Sequence, residues 1–354
     1  MVSRRFVIKR LLLLVPVLVG VATFVFGMLH LAPGDPARLI AGRRAPESFV
    51  EQVRTNLGLG RPIYVQYVHF IADVSPVWVW PTTEFPFLNP ELGVDLGKSY
   101  TVRRGEPVMS ILKNRFPVTV ELAVYGQIAG ILFGIPVGLL SAVKQDSLTD
   151  HLSRIGALTG ISVPIFWSGP VLILIFGVTL GLLPTFGRID TSHTYPQVTH
   201  MVTVDTLLAG DWAAFLSAVE HMILPVAVIG IYSMALISRM MRSSMLEVIR
   251  QDYMRTARAK GQGAKITIMK HGFRNALIPV VTVIGIQFGT LLGGAILTET
   301  VFSINGIGTL LVQAINNSDY PVVQGTVLLF AFLFTLVNLG VDITYSYLDP
   351  RIEQ

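Results

Sequence analysis

Six long apolar stretches constrain this chain more than anything else in it. They run near Leu11–Leu29, Val118–Val143, Ile155–Leu183, Met222–Ile237, Leu277–Thr298 and Val322–Val341. A helix needs roughly 20 apolar residues to cross a bilayer core. Backbone in lipid must satisfy its own hydrogen bonds, so each stretch is expected to be helical. The expected fold is therefore all-α and integral to the membrane, with six transmembrane helices. Composition agrees: 52% of the 354 residues are hydrophobic and 14% are charged, against about 25% charged in soluble proteins. The first span follows Arg4, Arg5, Lys9 and Arg10, as a cleaved signal peptide would. Its apolar run is longer than a usual signal core, which favours a retained helix.

The cations orient the spans, because short cytoplasmic links collect Lys and Arg. Four stand at the N-terminus, one at each end of Lys144–Arg154, and nine in Arg239–Arg274 against only Glu247 and Asp252. The link Glu299–Pro321 has none. This pattern places both termini and the basic link Arg239–Arg274 in the cytoplasm. The first link, His30–Pro117, holds ten cations yet falls outside; it is too long for the rule to apply. Its tail, Asp95–Pro117, is punctuated by Gly and Pro and is expected to return along the membrane surface. In the external link Pro184–His221, Asp205–Ala218 is expected to form a short interfacial helix. The net charge of +5 does not argue for nucleic acid, since the basic residues cluster beside spans.

The spans lack the groups that most membrane chemistry requires. The nearest carboxylates, Glu121, Glu299 and Asp342, are read as span edges. A proton-coupled transporter or membrane enzyme needs ionisable groups at depth. The chain has no Cys, and its seven His have no metal-ligand spacing. Gly261, Gly263 and Lys265 do not match the phosphate-binding loop GxxxxGK[ST]. The chain is thus read as no enzyme, with no cofactor of its own. Small residues recur instead: Gly126, Gly130, Gly134 and Gly138 in the second span, with similar sets in the third and fifth. Their plain role is close helix packing; a bundle rocking between two packings is the alternative.

The polar link has its own pattern. Leu246–Lys260 fits a helix with Leu246, Ile249, Tyr253 and Ala257 on one stripe. Gly261 is placed to stop it in a left-handed cap. A second helix follows, with Ile266, Met269, Phe273 and Leu277 as its stripe. Ala257 and Ala259 leave the tip slim enough to enter a groove on a soluble partner. An amphipathic loop resting on lipid headgroups fits the same pattern.

At these residues the chain resembles a known family. Tyr253-Met-Arg-Thr-Ala-Arg-Ala-Lys-Gly261 and His271-Gly-Phe-Arg-Asn-Ala-Leu-Ile-Pro279 resemble the coupling loop of binding-protein-dependent ABC importer permeases. The branch is that of dipeptide, oligopeptide and nickel transport, first-permease type. Thr256-Ala257-Arg258 stands where the oldest form of the motif has Glu-Ala-Ala, as in the peptide branch generally. The resemblance runs along nearly the whole chain, through Leu31–Pro36, Asp95–Ser99, Arg115–Glu121, Ser162–Trp167, Gly187-Arg188, Glu299–Phe302, Gly306–Gly308, Asp319–Gly325 and Leu348–Arg351.

It implies the six-helix, MetI-like fold of type I importer permeases, with an enlarged external segment. The divisions would be residues 1–30 for the tail and first helix, 31–117 for the external segment, 118–348 for a five-helix core including the coupling loop 239–276, and 349–354 for a cytoplasmic tail. It also implies a prokaryotic inner membrane, a second homologous permease, an external solute-binding protein, and two cytoplasmic ATPases that bind ATP and Mg. Tyr253, Arg255, Thr256, Ala257, Ala259, Lys260 and Gly261 would couple to an ATPase. Peptides are the substrate class implied first, with nickel, glutathione or oligosaccharides as alternatives. A self-sufficient channel or secondary transporter is the competing class, and it predicts intramembrane charge. The aromatic stretch Trp78–Pro90 is read as a lipid-interface anchor before a binding-protein contact.

Overall fold

The computed structural model of the protein describes residues 4–31, 35–41, 45–56, 58–75 and 94–348. The stretch Trp78–Pro90 and the tail 349–354 lie outside the described residues. The helices in chain order are α1 (Arg4–Leu31), α2 (Pro36–Ala41), α3 (Glu47–Asn56), α4 (Ile63–Val74), α5 (Val108–Val143), α6 (Leu148–Ser162) and α7 (Ile165–Leu172). Next come π1 (Ile173–Thr179), α8 (Val202–Leu208), α9 (Trp212–Ile249), α10 (Asp252–Ala259), α11 (Ala264–Ile266) and π2 (Thr267–Phe273). The chain continues through α12 (Arg274–Gly294), α13 (Ile296–Val301), α14 (Ile307–Asn316) and α15 (Tyr320–Leu348).

Among the described residues, four helical stretches are long and apolar enough to span a bilayer: Val108–Val143, Trp212–Ile249, Ala264–Gly293 and Tyr320–Thr344. The first expected span falls within α1. The third, Ile155–Leu183, is not one straight span. α6 and α7–π1 meet at 104°. Pro164 is the cause: its ring disfavours helical backbone at the preceding residue, and Val163 is extended at φ −76° and ψ 121°.

Two other expectations need correction. Asp205–Ala218 is not one interfacial helix: α8 ends before Gly210, at φ +70°, and α9 starts at Trp212. The fourth span, Met222–Ile237, is only the apolar middle of α9. At 1.5 Å per residue its 38 residues reach about 57 Å, well beyond a bilayer core of roughly 30 Å.

The chain divides into two compact units. One is formed by Leu11–Arg115 with Leu310–Phe332. Here the segment before α5 is a tight loop in which Lys98 and Pro107 form an antiparallel bridge. The carboxylate of Asp319 organises this loop. It accepts from the Ser99 hydroxyl at 2.6 Å and from the amides of Tyr100, Thr101 and Val102 at 3.0, 2.9 and 2.9 Å. Burial pushes the Asp319 pKa up, but these hydrogen bonds outweigh it and leave the carboxyl below its ordinary range. In the same unit α1 meets α4 through Phe26 edge-on to Tyr67, whose hydroxyl also meets Thr23.

The larger unit contains Phe116–Thr309 and the residues from Leu333 on. Its central seam joins α5 to α9. A Cβ at Gly126 would lie 2.4 Å from Ile229 Cγ2, and one at Gly130 2.4 Å from Ser233 Cβ. At Gly134 the neighbour is Ile237 at 2.9 Å, and at Gly138 it is the Ser238 carbonyl oxygen at 2.4 Å. Both numberings rise together along the seam, so the helices run parallel. The glycines therefore set the close approach of two backbones, which is the packing reading of their spacing.

α12 lies antiparallel on α9. Leu291, Leu292 and Ala295 join Met222, Leu224, Val228 and Ile229 in one apolar cluster. Ala276 and Val280 join Ile237, Met241 and Met245 in a second.

Candidate functional site

The basic link between α9 and α12 folds as an elbow. α9 stops at Ile249, Arg250 and Gln251 break the helix, and α10 covers Asp252–Ala259. The expected continuous helix Leu246–Lys260 is thus two helices. α10 ends in a Schellman arrangement. The amide of Gln262 donates to Ala257 O at 3.2 Å, that of Gly261 to Arg258 O at 3.0 Å, and Gly261 has φ +77°. A Cβ at Gly261 would meet nothing within 4 Å. Glycine is favoured there by the left-handed backbone alone, which costs other L-residues about 1–2 kcal/mol.

Of the stripes expected on the two short helices, Leu246, Ile249, Phe273 and Leu277 pack against the buried core, and the residues nearer the turn depart from the pattern. Met254, absent from the expected stripe, is fully buried, whereas Tyr253 is 41% exposed. Beyond the turn, π2 takes an extra residue per turn and rotates the face. Thr267, Gly272 and Ala276 are buried, while Ile266 and Met269 are exposed. Gly272 makes room for two methionines: a Cβ there would lie 2.6 Å from Met245 Cε and 3.3 Å from Met254 Cε. Asn275 donates to the Tyr253 hydroxyl at 3.1 Å, and Ser244 donates to Ala276 O at 2.9 Å. His271 and Gln262 meet at 3.0 Å across the turn. α10 is therefore packed on π2 beside Met245 of α9 and tied to the start of α12.

Arg255, Thr256, Ala259, Lys260 and Gly261 are all exposed, and Ala257 is half-buried. With Ile266 and Met269 they form a surface of cations around apolar side chains. Sequence reasoning missed Met254, Gly272 and Asn275 as the residues holding this surface. The only available signal was the Gly-Phe-Arg-Asn run from Gly272 to Asn275, whose partners lie on other helices.

Elsewhere in the larger unit two carboxylates read as span edges are buried hydrogen-bonding centres. Glu121 accepts from Arg188 Nη2 at 2.5 Å, from the Thr203 hydroxyl at 2.5 Å and from the Thr203 amide at 2.8 Å. Glu299 accepts from the Thr119 hydroxyl at 2.6 Å and the Thr309 amide at 3.0 Å. A Cβ at Gly306 would lie 2.3 Å from Glu299 Oε1, so Gly306 leaves the volume that this carboxylate fills. A third centre, Asp150, accepts from Arg242 Nε and Nη2 at 2.7 and 2.8 Å and from Ser141 at 2.6 Å. It fastens the start of α6 to α5 and α9. The intervals Arg115–Glu121, Gly187-Arg188 and Glu299–Gly308 are thereby joined into buried clusters.

A helical bundle with a broken third span and a capped basic elbow between two long helices defines a membrane-embedded transport component. The comparisons give its kind: the chain belongs to the family of inner membrane components of binding-protein-dependent transport systems. The family's main profile matches residues 134–354, and the profile of its N-terminal membrane component matches residues 3–123. The chain is 42% identical over 348 residues to a dipeptide transport system permease of Alkalihalophilus pseudofirmus, covering 98% of this chain and 99% of that one. It is 43% identical over 349 residues to a di/tripeptide permease of Pseudomonas aeruginosa, covering 98% of each. It is 41% identical over 347 residues to a glutathione permease of Salmonella typhimurium, also covering 98% of each. An inward-facing structure of the MetNI methionine ABC transporter superposes with a TM-score of 0.52 at 18% identity, covering 68% of this chain and 97% of that one. The fold is thus of the MetI-like permease type.

Proposed function

We propose that this chain is the transmembrane permease subunit of an ATP-driven importer for dipeptides and short oligopeptides. The observation that carries the coupling role is the elbow: a slim, cationic, left-hand-capped helix held by Met254 against Gly272 of π2 and by Tyr253 to α12. Identity of 42% and 43% to dipeptide permeases over 98% of this chain supports the substrate class. In this reading Tyr253–Gly261 docks on a cytoplasmic ATPase. Closure of the ATPase pair on ATP moves α10, and the packed unit follows as a rigid body. Both termini lie in the cytoplasm, a second homologous permease completes the path, and an external binding protein delivers the peptide. The distribution of Lys and Arg among the short links supports the orientation.

The test is copurification and uptake. Tagged chain expressed from its native operon should retain an ATPase, and proteoliposomes holding the complex should take up dipeptide only with ATP and binding protein. Uptake without ATP, with no associated ATPase, would sink the proposal. Glutathione uptake in place of dipeptide uptake would move the substrate class and leave the coupling role intact.

A further inference from the structure

At the coupling end of α9 a crevice of about 280 Å³ opens between α5, α6 and α9. Its chemistry is uneven. Arg154, Arg239 and Arg242 line it together with the hydroxyls of Ser153, Ser238 and Ser243. Asp150 is the carboxylate paired with Arg242, at 2.7 Å, and Arg154 approaches it only to 3.9 Å. Asp146, exposed, is a second acid acting on Arg242. Arg239 is exposed and, among the described residues, has no carboxylate partner. Three guanidiniums against buried Asp150 and exposed Asp146 leave the crevice cationic. The Ser153 and Ser238 hydroxyls donate to Thr149 O and Ala235 O, so the guanidiniums, with Ser243, are the donors suited to the oxygens of a phosphate.

The surface next to the crevice decides which anion it suits. α6 carries Leu148, Leu152, Ile155 and Leu158 at 73, 59, 61 and 59% exposure. Their spacing of three and four puts them on one stripe of the helix. Leu158 itself lines the crevice. A small soluble anion has no use for such a stripe, whereas an amphiphile with a phosphate head and acyl tails matches both parts. A basic pocket between membrane helices, near the level where the chain leaves the bilayer, suits a lipid head group.

We infer that this crevice is a binding site for an anionic phospholipid, with the phosphate between Arg154 and Arg239 and the tails along the α6 stripe. Arg242 is held by Asp150 and frames the site. The crevice lies two turns before the end of α9, so an occupied site would brace the helix that leads into the coupling elbow. This inference does not depend on which peptide is carried.

The test uses the assembled transporter in nanodiscs of phosphatidylcholine with and without phosphatidylglycerol, read by native mass spectrometry and thermal unfolding. The wild type should retain phosphatidylglycerol and unfold at higher temperature when it is present. R154Q/R239Q should bind it roughly 30-fold more weakly, from about one unit of surface attraction per cation. R239Q alone, which breaks no carboxylate pair among the described residues and sits on an exposed side chain, should lose about half of that in logarithmic terms. Three results would overturn the site: unchanged lipid retention in both variants, the same stabilisation by inorganic phosphate in phosphatidylcholine discs, or displacement of the lipid by dipeptide.

Discussion

Glycine does opposite work in the α5–α9 seam and in the coupling elbow. In the seam, Gly126, Gly130, Gly134 and Gly138 have atoms of α9 within 3.0 Å of where a Cβ would stand. Glycine is needed there because there is no room. At Gly261 nothing lies within 4 Å, and glycine is favoured because the backbone is left-handed at φ +77°. The seam is a place where two helices are locked at contact distance. The elbow is a place where the chain turns sharply and stays open. A spacing of four residues announces the first kind, and an isolated Gly after a basic helix announces the second.

The largest effect is expected where packing and buried charge coincide. Glu121→Ala should destabilise the larger unit by about 3–5 kcal/mol, because it strands Arg188 without its counter-charge. Thermal unfolding of purified protein checks this, and a loss under 1 kcal/mol would show that the buried pair is not part of the lock. Gly138→Val comes next, at about 3 kcal/mol, because the atom it meets is a backbone oxygen that cannot swing away. Failure to assemble with partner subunits, or a large fall in melting temperature, is the expected readout. If Gly138→Val is tolerated, the seam is not locked.

Gly261→Val should cost only about 1–2 kcal/mol, the price of a branched residue in a left-handed position. Folding should survive while ATP-driven uptake falls sharply. Gly261→Asn, which tolerates that backbone, should recover most of the uptake. Equal uptake by Gly261→Val and wild type would reduce the elbow to a loop lying on lipid.

The smallest expected effect is a pH response of the loop bound to Asp319. Its carboxyl is held below the ordinary value, so the stabilisation is present above the unfolded pKa of about 3.9 and is lost as pH falls below it. Hydrogen exchange of the Tyr100, Thr101 and Val102 amides should be constant from neutral pH to about 5, after correction for intrinsic exchange, and should rise only in stronger acid. A rise already at pH 6 would contradict the assigned cause.

Much of this was legible beforehand because a membrane simplifies the reading. Apolar runs of span length placed α5, α9, α12 and α15, and a lone Gly after cations placed the turn at Gly261. The errors share one origin. Hydropathy sees where lipid begins, not where a helix ends, so Met222–Ile237 was read in place of the 38-residue α9. Periodicity assumes 3.6 residues per turn, so π2 turned Ile266 and Met269 outward and brought Gly272 in. Glu121 and Glu299 looked like span edges because neither reveals its partner: Arg188 and Thr119 are 67 and 180 residues away in the chain.

The sequence by itself determined the solvent of this protein, the number of its apolar segments, the basic segment between the fourth and fifth of them and the family its motifs resemble. Those properties are carried by local composition and by residues adjacent in the chain. Only the tertiary structure decided that four glycines seat α5 on α9, that Met254 and Gly272 fasten the elbow, and that three buried carboxylates tie distant segments together. Each of these is a contact between residues far apart in sequence, and such a contact is set by the space and charge the rest of the fold leaves available.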